Sequence, residues 1–309
     1  MVTTFLDYFF FAHFRYHVDD TDPLLTVNSV TVDLTNPSVR VVPGVADPTK
    51  SVQSIPDMAA PNPKLIAGVN GGYFWRVDVS GIWVDDVCRG KTRNDAEQPA
   101  SPIYPNYGVG DGIVRIDNVT YANNCNCSGF SRPATLKIPV DPEDMNIEVL
   151  HRGEYLDESI PSAIAAGPNL VSYNATTLNG YIDIPSDDDN INRFEHAANT
   201  AVGLYYKTAK PNSPTQKADK FILVTTDGSD ECGIREKYCG LNTRFLASLM
   251  KNHFDVSEAM SMDQGGSTTM WIKGVNPDRN GVVSRSHNTE PVEQDGPRSV
   301  ANGLFLELL

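Results

Sequence analysis

The chain has 309 residues, enough to bury a large hydrophobic core, and nothing in its composition requires more than one domain. Its hydrophobic content of 40% and its charged content of 21% are ordinary for a globular protein. The formal net charge of −14 argues against nucleic acid or an acidic membrane as the partner. A bound phosphate would therefore need a local site.

Residues 5–14 are apolar but include Asp7 and His13, and the stretch is too short to cross a membrane. No other apolar run in the chain is long enough either, so we predict no membrane span. The stretch also lacks the basic leader and the cleavage box of a signal peptide. If the protein is secreted, we expect its leader to precede Met1.

The early part of the chain has the pattern of β structure. Apolar and polar side chains alternate over residues 30–34, which predicts a strand, and residues 39–42 begin another. Residues 51–60 are predicted to form a short helix that stops before Pro61.

An apolar strand over residues 65–69 runs into two adjacent glycines and a group of aromatic residues. In a functional interpretation, the amides of this turn bind a ligand and an aromatic ring provides a platform for a sugar. The alternative is a hairpin turn whose aromatic side chains belong to the core. The candidate residues are Asn70, Gly71, Gly72, Tyr73, Phe74 and Trp75.

Five cysteines are unusual for a protein of the reducing cytosol. Cys232 and Cys239 bracket a short loop that a disulfide can close, and Cys88 can pair with either Cys125 or Cys127. Zinc binding is the weaker alternative, because the sequence contains no Cys-x-x-Cys spacing.

Three N-glycosylation sequons begin at Asn118, Asn126 and Asn174, all in turn-rich stretches. Together with the cysteines they predict a secreted glycoprotein or a protein of the secretory-pathway lumen. Residues 76–142, which contain two of these sequons, are predicted to form long loops and hairpins rather than a disordered linker.

Two stretches in the middle of the chain are candidate ligand contacts. Small residues around Gly167 and Asn169 can bring the backbone close to a ligand or to another strand. The acidic residues 186–190 lack the spacing of a calcium loop, so we interpret them as a solvated loop.

Residues 200–206 and 220–226 are predicted to form paired strands, and the second ends at Asp227-Gly228. An aspartate at a strand exit is often only a turn former, but it can also be a carboxylate presented to a site. Asn242 is predicted to cap a core helix that leads to the next strand.

That strand ends at Asp263, and a two-glycine turn with hydroxyl groups follows it. Adjacent glycines allow successive amides to point at one anion, to which the hydroxyls can also donate. The alternative is a glycine hairpin with a solvated aspartate. The candidate anion-binding residues are Gly265, Gly266, Ser267 and Thr268.

The last segment, which includes Asn302, is predicted to be a closing strand that starts with Arg298. This arginine is either a solvated strand end or a fork that binds a phosphate with two hydrogen bonds.

Six motifs in this order resemble the phosphodiester glycosidase family, over roughly residue 26 to the C-terminus. The matching blocks are Asn70-Gly71-Gly72-Tyr73-Phe74, Ala166-Gly167-Pro168-Asn169-Leu170-Val171, Thr200-Ala201-Val202-Gly203, Asp227-Gly228, residues 263–270 and Arg298-Ser299-Val300-Ala301-Asn302-Gly303. The closely spaced pair Cys232 and Cys239 also resembles the eukaryotic members.

The resemblance implies hydrolysis of a glycosyl-1-phosphodiester, such as an α-N-acetylglucosamine-1-phospho-6-mannose linkage, to free sugar and phosphomonoester. Asp263 would be the carboxylate that acts at the anomeric carbon. Asp227 would be its partner or an acceptor for a sugar hydroxyl. The substrate would be bound by Asn70, Gly71, Gly72, Tyr73, Phe74, Gly167, Asn169, Gly265, Gly266, Ser267, Thr268, Arg298 and Asn302.

Two positions depart from the family pattern. Asn199 stands where the family usually has an arginine, and Gln264 stands where it usually has a glycine. The missing cation weakens the implied phosphate binding and leaves Arg193 and Arg298 as possible substitutes. These departures motivate an alternative function, a non-catalytic module that binds glycans or phosphoglycans. A serine hydrolase that uses Ser267 is disfavoured, because the chain has no Gly-x-Ser-x-Gly elbow.

For the fold we predict one α/β domain over residues 1–309, strand-rich, with a mixed sheet as its core and flanking helices. In such a fold the glycine turns lie at neighbouring strand ends and distant motifs converge on one cleft. No cofactor is predicted, and a requirement for a divalent metal is left open. The sugar, the stereochemical course and the oligomeric state also stay open.

Overall fold

A computed structural model describes residues 2–6, 9–16, 25–47, 49–50, 52–74, 112–123, 134–150, 156–174, 176–177, 179–184, 197–206, 217–227, 240–285 and 297–309. In the first half of the chain the strands are β1 (Val2–Leu6), β2 (Phe9–Tyr16), β3 (Leu25–Asp33), β4 (Val39–Val45), β5 (Leu65–Asn70), β6 (Ile113–Ile116), β7 (Val119–Asn123), β8 (Ala134–Ile138) and β9 (Asn146–Val149). They are followed by β10 (Ser162–Ala166), β11 (Asn169–Asn174), β12 (Asn179–Ile182), β13 (Asn199–Tyr206), β14 (Ala218–Thr226), β15 (Glu258–Ser261), β16 (Met270–Ile272) and β17 (Asn302–Leu308). The α-helices of the described residues are α1 (Ile55–Ala59) and α2 (Thr243–Ser248).

The strands form three sheets. An eight-stranded sheet has the order β1-β2-β3-β14-β13-β15-β11-β12. A five-stranded sheet has the order β7-β6-β10-β8-β9, and a four-stranded sheet has the order β16-β5-β17-β4.

Every strand pairing among the described residues is antiparallel. The prediction of a strand-rich fold is confirmed, but the expected mixed sheet is replaced by three antiparallel sheets. The alternation of apolar and polar residues indicates which side of a strand is buried, and it carries no information about the direction of the neighbouring strand.

The main hydrophobic core lies between one face of the eight-stranded sheet and the other two sheets. It includes Val30 and Leu204 from the large sheet, Val69 from the four-stranded sheet, and Leu136 and Ile164 from the five-stranded sheet. Because successive side chains of a strand point to opposite faces, every second residue of these strands belongs to this core. We call the face of the large sheet that contacts this core its inner face.

The two helices cover outer faces of the sheets. Helix α2 packs on the outer face of the eight-stranded sheet, and Ile55 of α1 packs on the outer face of the four-stranded sheet. Asn242 caps α2, as predicted, by accepting a 3.0 Å hydrogen bond from the amide of Phe245. The expected flanking helices are thus limited, in the described residues, to two short α-helices, of which α2 continues as a π-helical turn over Leu249–His253. Neither is long and apolar enough to cross a membrane.

Candidate active site

The candidate site lies where the main core ends, at one end of the eight-stranded sheet. Toward this end, the inner-face positions of three adjacent strands change from apolar to polar side chains. On β3, the inner-face residue next to Val30 toward this end is Asn28. On β13, the inner-face residue next to Val202 toward this end is Thr200. Thr225 is the corresponding residue of β14, and it pairs directly with both Asn28 and Thr200. All three polar residues are fully buried.

The four-stranded sheet ends at the same place. Strand β5 ends at Asn70, which pairs with Gly303 of β17. The amide of Gly71 donates to the carbonyl of Asn302, and the amide of Asn70 donates to the carbonyl of Thr269. These contacts bring together residues that are about 200 to 230 positions apart in the chain.

Asn70 connects the two sheets through its side chain. Its Oδ1 accepts a 2.6 Å hydrogen bond from the Thr200 hydroxyl and a 3.0 Å bond from the amide of Thr269. Its Nδ2 donates a 2.7 Å bond to the carbonyl of Asp263. Asn70 is fully buried, so these bonds form without competition from water. The Asn70 side chain, which the motif predicted to contact the substrate, therefore helps to position the backbone of Asp263.

Asp263 lies two residues beyond the end of β15 and is half-buried. Its amide donates to the carbonyl of Gly71 at 2.9 Å, and its Oδ1 accepts a 2.9 Å bond from the amide of Gln264. The carboxylate is thus fixed at the edge of the core by the turn that follows β5.

Asp227, at the end of β14, is only 7% exposed. Its amide donates to the carbonyl of Thr26 at 2.9 Å. Its Oδ1 accepts a 2.7 Å bond from the amide of Arg285 and a 3.4 Å bond from Asn28 Nδ2. Strands β14 and β15 lie on either side of β13 and are both antiparallel to it, so Asp227 and Asp263 are at the same end of the sheet.

The glycine amides expected to bind an anion are partly engaged within the protein. The amide of Gly71 bonds to Asn302, and the amide of Gly265 donates to the carbonyl of Ala198 at 2.8 Å. A Cβ on Gly72 would lie 2.0 Å from the carbonyl oxygen of Ala165, so this glycine allows close contact with β10. Gly265 has a φ of +63° and open space where a Cβ would lie. The open side of the turn is therefore at Gly265 and its half-buried neighbour Gly266.

Among the predicted aromatic residues that the structure describes, Tyr73 contacts another predicted residue. Its hydroxyl donates a 3.3 Å bond to the carbonyl of Gly167. Phe74 packs instead with Trp271 on the outer face of the four-stranded sheet. The Nδ2 of Asn169 donates to Ser172 Oγ at 2.7 Å, which directs this amide along β11.

Ser267, Thr268 and Asn302 are almost fully buried, at 2%, 1% and 1% exposed. Thr268 Oγ1 and both side-chain polar atoms of Asn302 have no hydrogen-bond partner among the described residues. A Cβ on Gly71 would lie 2.0 Å from Asn302 Oδ1, so the glycine makes room for this amide. Buried polar atoms without partners are costly, and a bound polar ligand would satisfy them.

Both departures from the family pattern are buried. Asn199 Nδ2 donates to the carbonyls of Ala197 and Leu241 at 2.6 and 2.7 Å, which fixes the start of β13. Gln264 Nε2 donates to Ser261 Oγ at 2.7 Å. Arg298 is half-buried and lies two residues before Val300, which bridges to Gln53.

Several sequence predictions lie outside the described residues. They concern all five cysteines, Gly228, the sequon at Asn126, Trp75, Arg193 and the acidic residues 186–190. Asn118 lies exposed in the turn between β6 and β7, and Asn174 ends β11. In the part of the chain that the structure covers, no group of three or more His, Cys, Asp or Glu side chains is arranged to hold a metal ion.

Sequence reasoning assigned no role in the site to His13, Asn28, Thr200 or Arg285, although Thr200 opens the third motif block. One signal was available for Asn28, because the pair Asn28-Ser29 interrupts the alternation of apolar and polar residues along β3. His13 and Arg285 carry no local signal, since their contacts with this region depend on strands and loops that are distant in sequence.

The fold and the site define an antiparallel β protein with two carboxylates at one end of its core. A family model for phosphodiester glycosidases matches residues 63–307. The chain therefore belongs to the phosphodiester glycosidase family, which confirms the family indicated by the six motifs.

Solved structures share the fold at low sequence identity. One is the zebrafish N-acetylglucosamine-1-phosphodiester α-N-acetylglucosaminidase catalytic domain, auto-inhibited by its pro-peptide. It has a TM-score of 0.61 and 20% identity over 97% of this chain and 83% of its own. A hypothetical protein from Synechocystis has a TM-score of 0.51 and 12% identity over 98% of this chain and 62% of its own. The comparison with curated protein sequences gave no match.

Proposed function

We propose that this protein hydrolyses a glycosyl-1-phosphodiester, releasing a free sugar and leaving a phosphomonoester. Membership of the phosphodiester glycosidase family supports this class of reaction. The zebrafish protein with a similar fold is named for N-acetylglucosamine-1-phosphodiesters. Linkages of the α-N-acetylglucosamine-1-phospho-6-mannose type are therefore the first substrates to test.

The observation that carries the proposal is the position of Asp227 and Asp263 at the same end of one sheet. Since β13 lies between them, the strands that lead to the two aspartates are two strand spacings apart, roughly 9–10 Å. Most glycosidases use a pair of carboxylates that flank the bond to be cleaved.

The chemistry requires little acid catalysis, because a phosphomonoester leaves as a stable anion. The positive charge that develops at the anomeric carbon needs a nearby carboxylate. We assign this role to Asp263, which is half-buried at the edge of the core and is held by Asn70 and Gly71. Asp227 is the partner carboxylate or the acceptor for a sugar hydroxyl.

Binding of the sugar phosphate would use the polar atoms around the carboxylates. Thr268 Oγ1 and the Asn302 side chain are buried without partners, which favours them as ligand contacts. Arg298 would bind the phosphate, because Asn199 contributes no cation at its position. The open side of Gly265 leaves room for the substrate.

A turnover assay across α-glycosyl-1-phosphodiesters tests the proposal by measuring the sugar and the phosphomonoester released. We expect Asp263→Asn to lower kcat at least about 1000-fold, whereas the same change at the exposed Asp278 should leave it unchanged. Loss of activity in both variants would point to misfolding, which thermal unfolding would reveal. Full activity in Asp263→Asn would refute the assigned role.

The alternative is a module that binds phosphoglycans without cleaving them. It is favoured by Asn199, whose buried amide fixes the backbone where the family pattern has an arginine. Calorimetric binding of a sugar phosphodiester with no turnover, in both the wild type and Asp263→Asn, would establish this alternative.

A further inference from the structure

His13, on β2, is connected to the candidate site through Asn28. The two residues are direct cross-strand partners, and Asn28 is in turn paired with Thr225 of β14. His13 Nδ1 lies 2.7 Å from Asn28 Oδ1. The chain of contacts continues from Asn28 Nδ2 to Asp227 Oδ1 at 3.4 Å.

The hydrogen-bonding capacities of these groups determine the direction of each bond. Asn28 Nδ2 contacts both Thr225 Oγ1 and Asp227 Oδ1, and a carboxylate oxygen can only accept in such a pair. The amide nitrogen of Asn28 therefore faces Asp227, and its Oδ1 faces His13. It follows that His13 Nδ1 carries a proton and donates it to Asn28.

The bond lengths indicate which contact fixes Asn28. Its contacts with Thr225 and Asp227 are 3.5 and 3.4 Å long, near the limit for a hydrogen bond, whereas the bond from His13 is 2.7 Å. Asn28 is fully buried, so water does not compete with its protein partners. The bond from His13 is thus the shortest of these three described contacts of the side chain that reaches Asp227 Oδ1.

Strand β2 lies before residues 63–307, the part of the chain that the family model matches. The contact at Asp227 is therefore supplied by a segment that the family match does not include. Strand β2 reaches the site through its register with β3 and through the register of β3 with β14.

We propose that His13 is a positioning residue for Asp227, acting through Asn28. The inference rests on the proposed function, because it assigns the histidine to the reaction in which Asp227 takes part. Donation from His13 Nδ1 fixes the amide of Asn28, and that amide holds Asp227 Oδ1 in the orientation that the substrate requires.

Two substitutions separate this role from simple packing. His13→Asn keeps a donor near the place of Nδ1, whereas His13→Leu has the same branching at Cγ as asparagine and no donor. We expect kcat/KM to fall about tenfold in His13→Leu and to stay within about threefold of the wild type in His13→Asn. The matched control is His253→Leu, an exposed histidine on the outer side of the sheet, which should retain wild-type kcat/KM.

Equal losses in the two His13 variants, or losses that follow only their melting temperatures, would overturn the proposal. A second measurement does not depend on activity. Nitrogen-15 NMR should show a proton on His13 Nδ1, and crystal structures should show Asp227 displaced in His13→Leu but not in His13→Asn. A His13 Nδ1 without a proton, or an unmoved Asp227 in His13→Leu, would refute the positioning role even if the protein cleaves no phosphodiester. A wild type that cleaves none while these structural results hold would refute the proposed function alone.

Discussion

Asn70 Nδ2 donates a 2.7 Å hydrogen bond to the main-chain carbonyl of Asp263, and this bond joins the end of the four-stranded sheet to the end of the eight-stranded sheet. A second hydrogen bond runs in the opposite direction, from the Asp263 amide to the carbonyl of Gly71, the residue after Asn70. The position of the candidate catalytic carboxylate is therefore determined by a turn almost 200 residues earlier in the chain.

Replacement of this buried amide should be costly. Asn70→Ala removes the hydrogen bonds that Asn70 makes with the Thr200 hydroxyl, the Thr269 amide and the Asp263 carbonyl. We expect the free energy of unfolding to fall by about 4 kcal/mol, since each buried unsatisfied group costs about 1–3 kcal/mol. Urea denaturation measures this change. The control is Asn252→Ala on the surface, which should cost less than about 0.5 kcal/mol; equal effects at both positions would contradict the role of Asn70.

Gly71 and Gly265 should respond differently to the same change. A Cβ at Gly71 would lie 2.0 Å from Asn302 Oδ1 and 3.0 Å from the backbone of Asn302. Gly71→Ala must therefore displace Asn302 or the turn that binds Asp263, and we expect at least a tenfold loss of kcat/KM in the turnover assay.

Gly265→Ala adds its methyl group to open space, so only the φ of +63° opposes it. The expected loss of stability is about 1 kcal/mol. If the open side of this turn is where the substrate lies, KM should rise while the melting temperature falls only slightly. An unchanged KM would show that the substrate binds elsewhere.

Glu258 should make the stability of the protein depend on pH. Its side chain lies between sheets, where Oε2 accepts 2.6 and 2.7 Å bonds from the Tyr206 hydroxyl and the Ile147 amide. Burial raises the pKa of the Glu258 carboxyl above its usual value. Because the pKa is raised in the folded state, the protonated Glu258 carboxyl stabilises the fold. This contribution to the free energy of unfolding is complete below the unfolded-state pKa of about 4.3, and it is lost as the pH rises through the folded-state pKa.

The measurement is the free energy of unfolding from pH 4 to pH 8, as a difference between the wild type and Glu258→Gln. We expect the wild type to lose stability relative to this variant as the pH rises, because glutamine mimics the neutral carboxyl. Glu158→Gln, at an exposed position, should give a curve parallel to that of the wild type. A parallel curve for Glu258→Gln would refute the prediction.

The cysteines provide a test of the predicted secretory location. Cys232 and Cys239, beyond the described residues, are predicted to form a disulfide when the protein is made in an oxidising compartment. Peptide mapping without reduction should recover the two cysteine peptides as one linked species. Finding both thiols free in secreted material would contradict the pairing.

The helix caps and the strand pattern were predictable because they depend on neighbouring residues. Asn242 caps α2 through the amide three residues later, and the alternation around Val30 and Val32 gives the buried face of β3. Strand direction was not predictable in this way. Whether β13 pairs antiparallel with both β14 and β15 depends on how connecting segments return the chain, which local patterns do not encode.

The sequence by itself indicated the family, which the family model confirms, and the core-forming strands, since motif order and side-chain chemistry are properties of the linear chain. It also singled out Asp227 and Asp263, whose catalytic roles stay a prediction. Only the tertiary structure determined which partners the predicted residues have. Asn70 bonds to the carbonyl of Asp263, Phe74 packs in the outer core, Asn28 contacts Asp227, and His13 contacts Asn28. The physical reason is that a buried polar group takes the partners that packing brings within about 3 Å, and packing is decided by the whole fold.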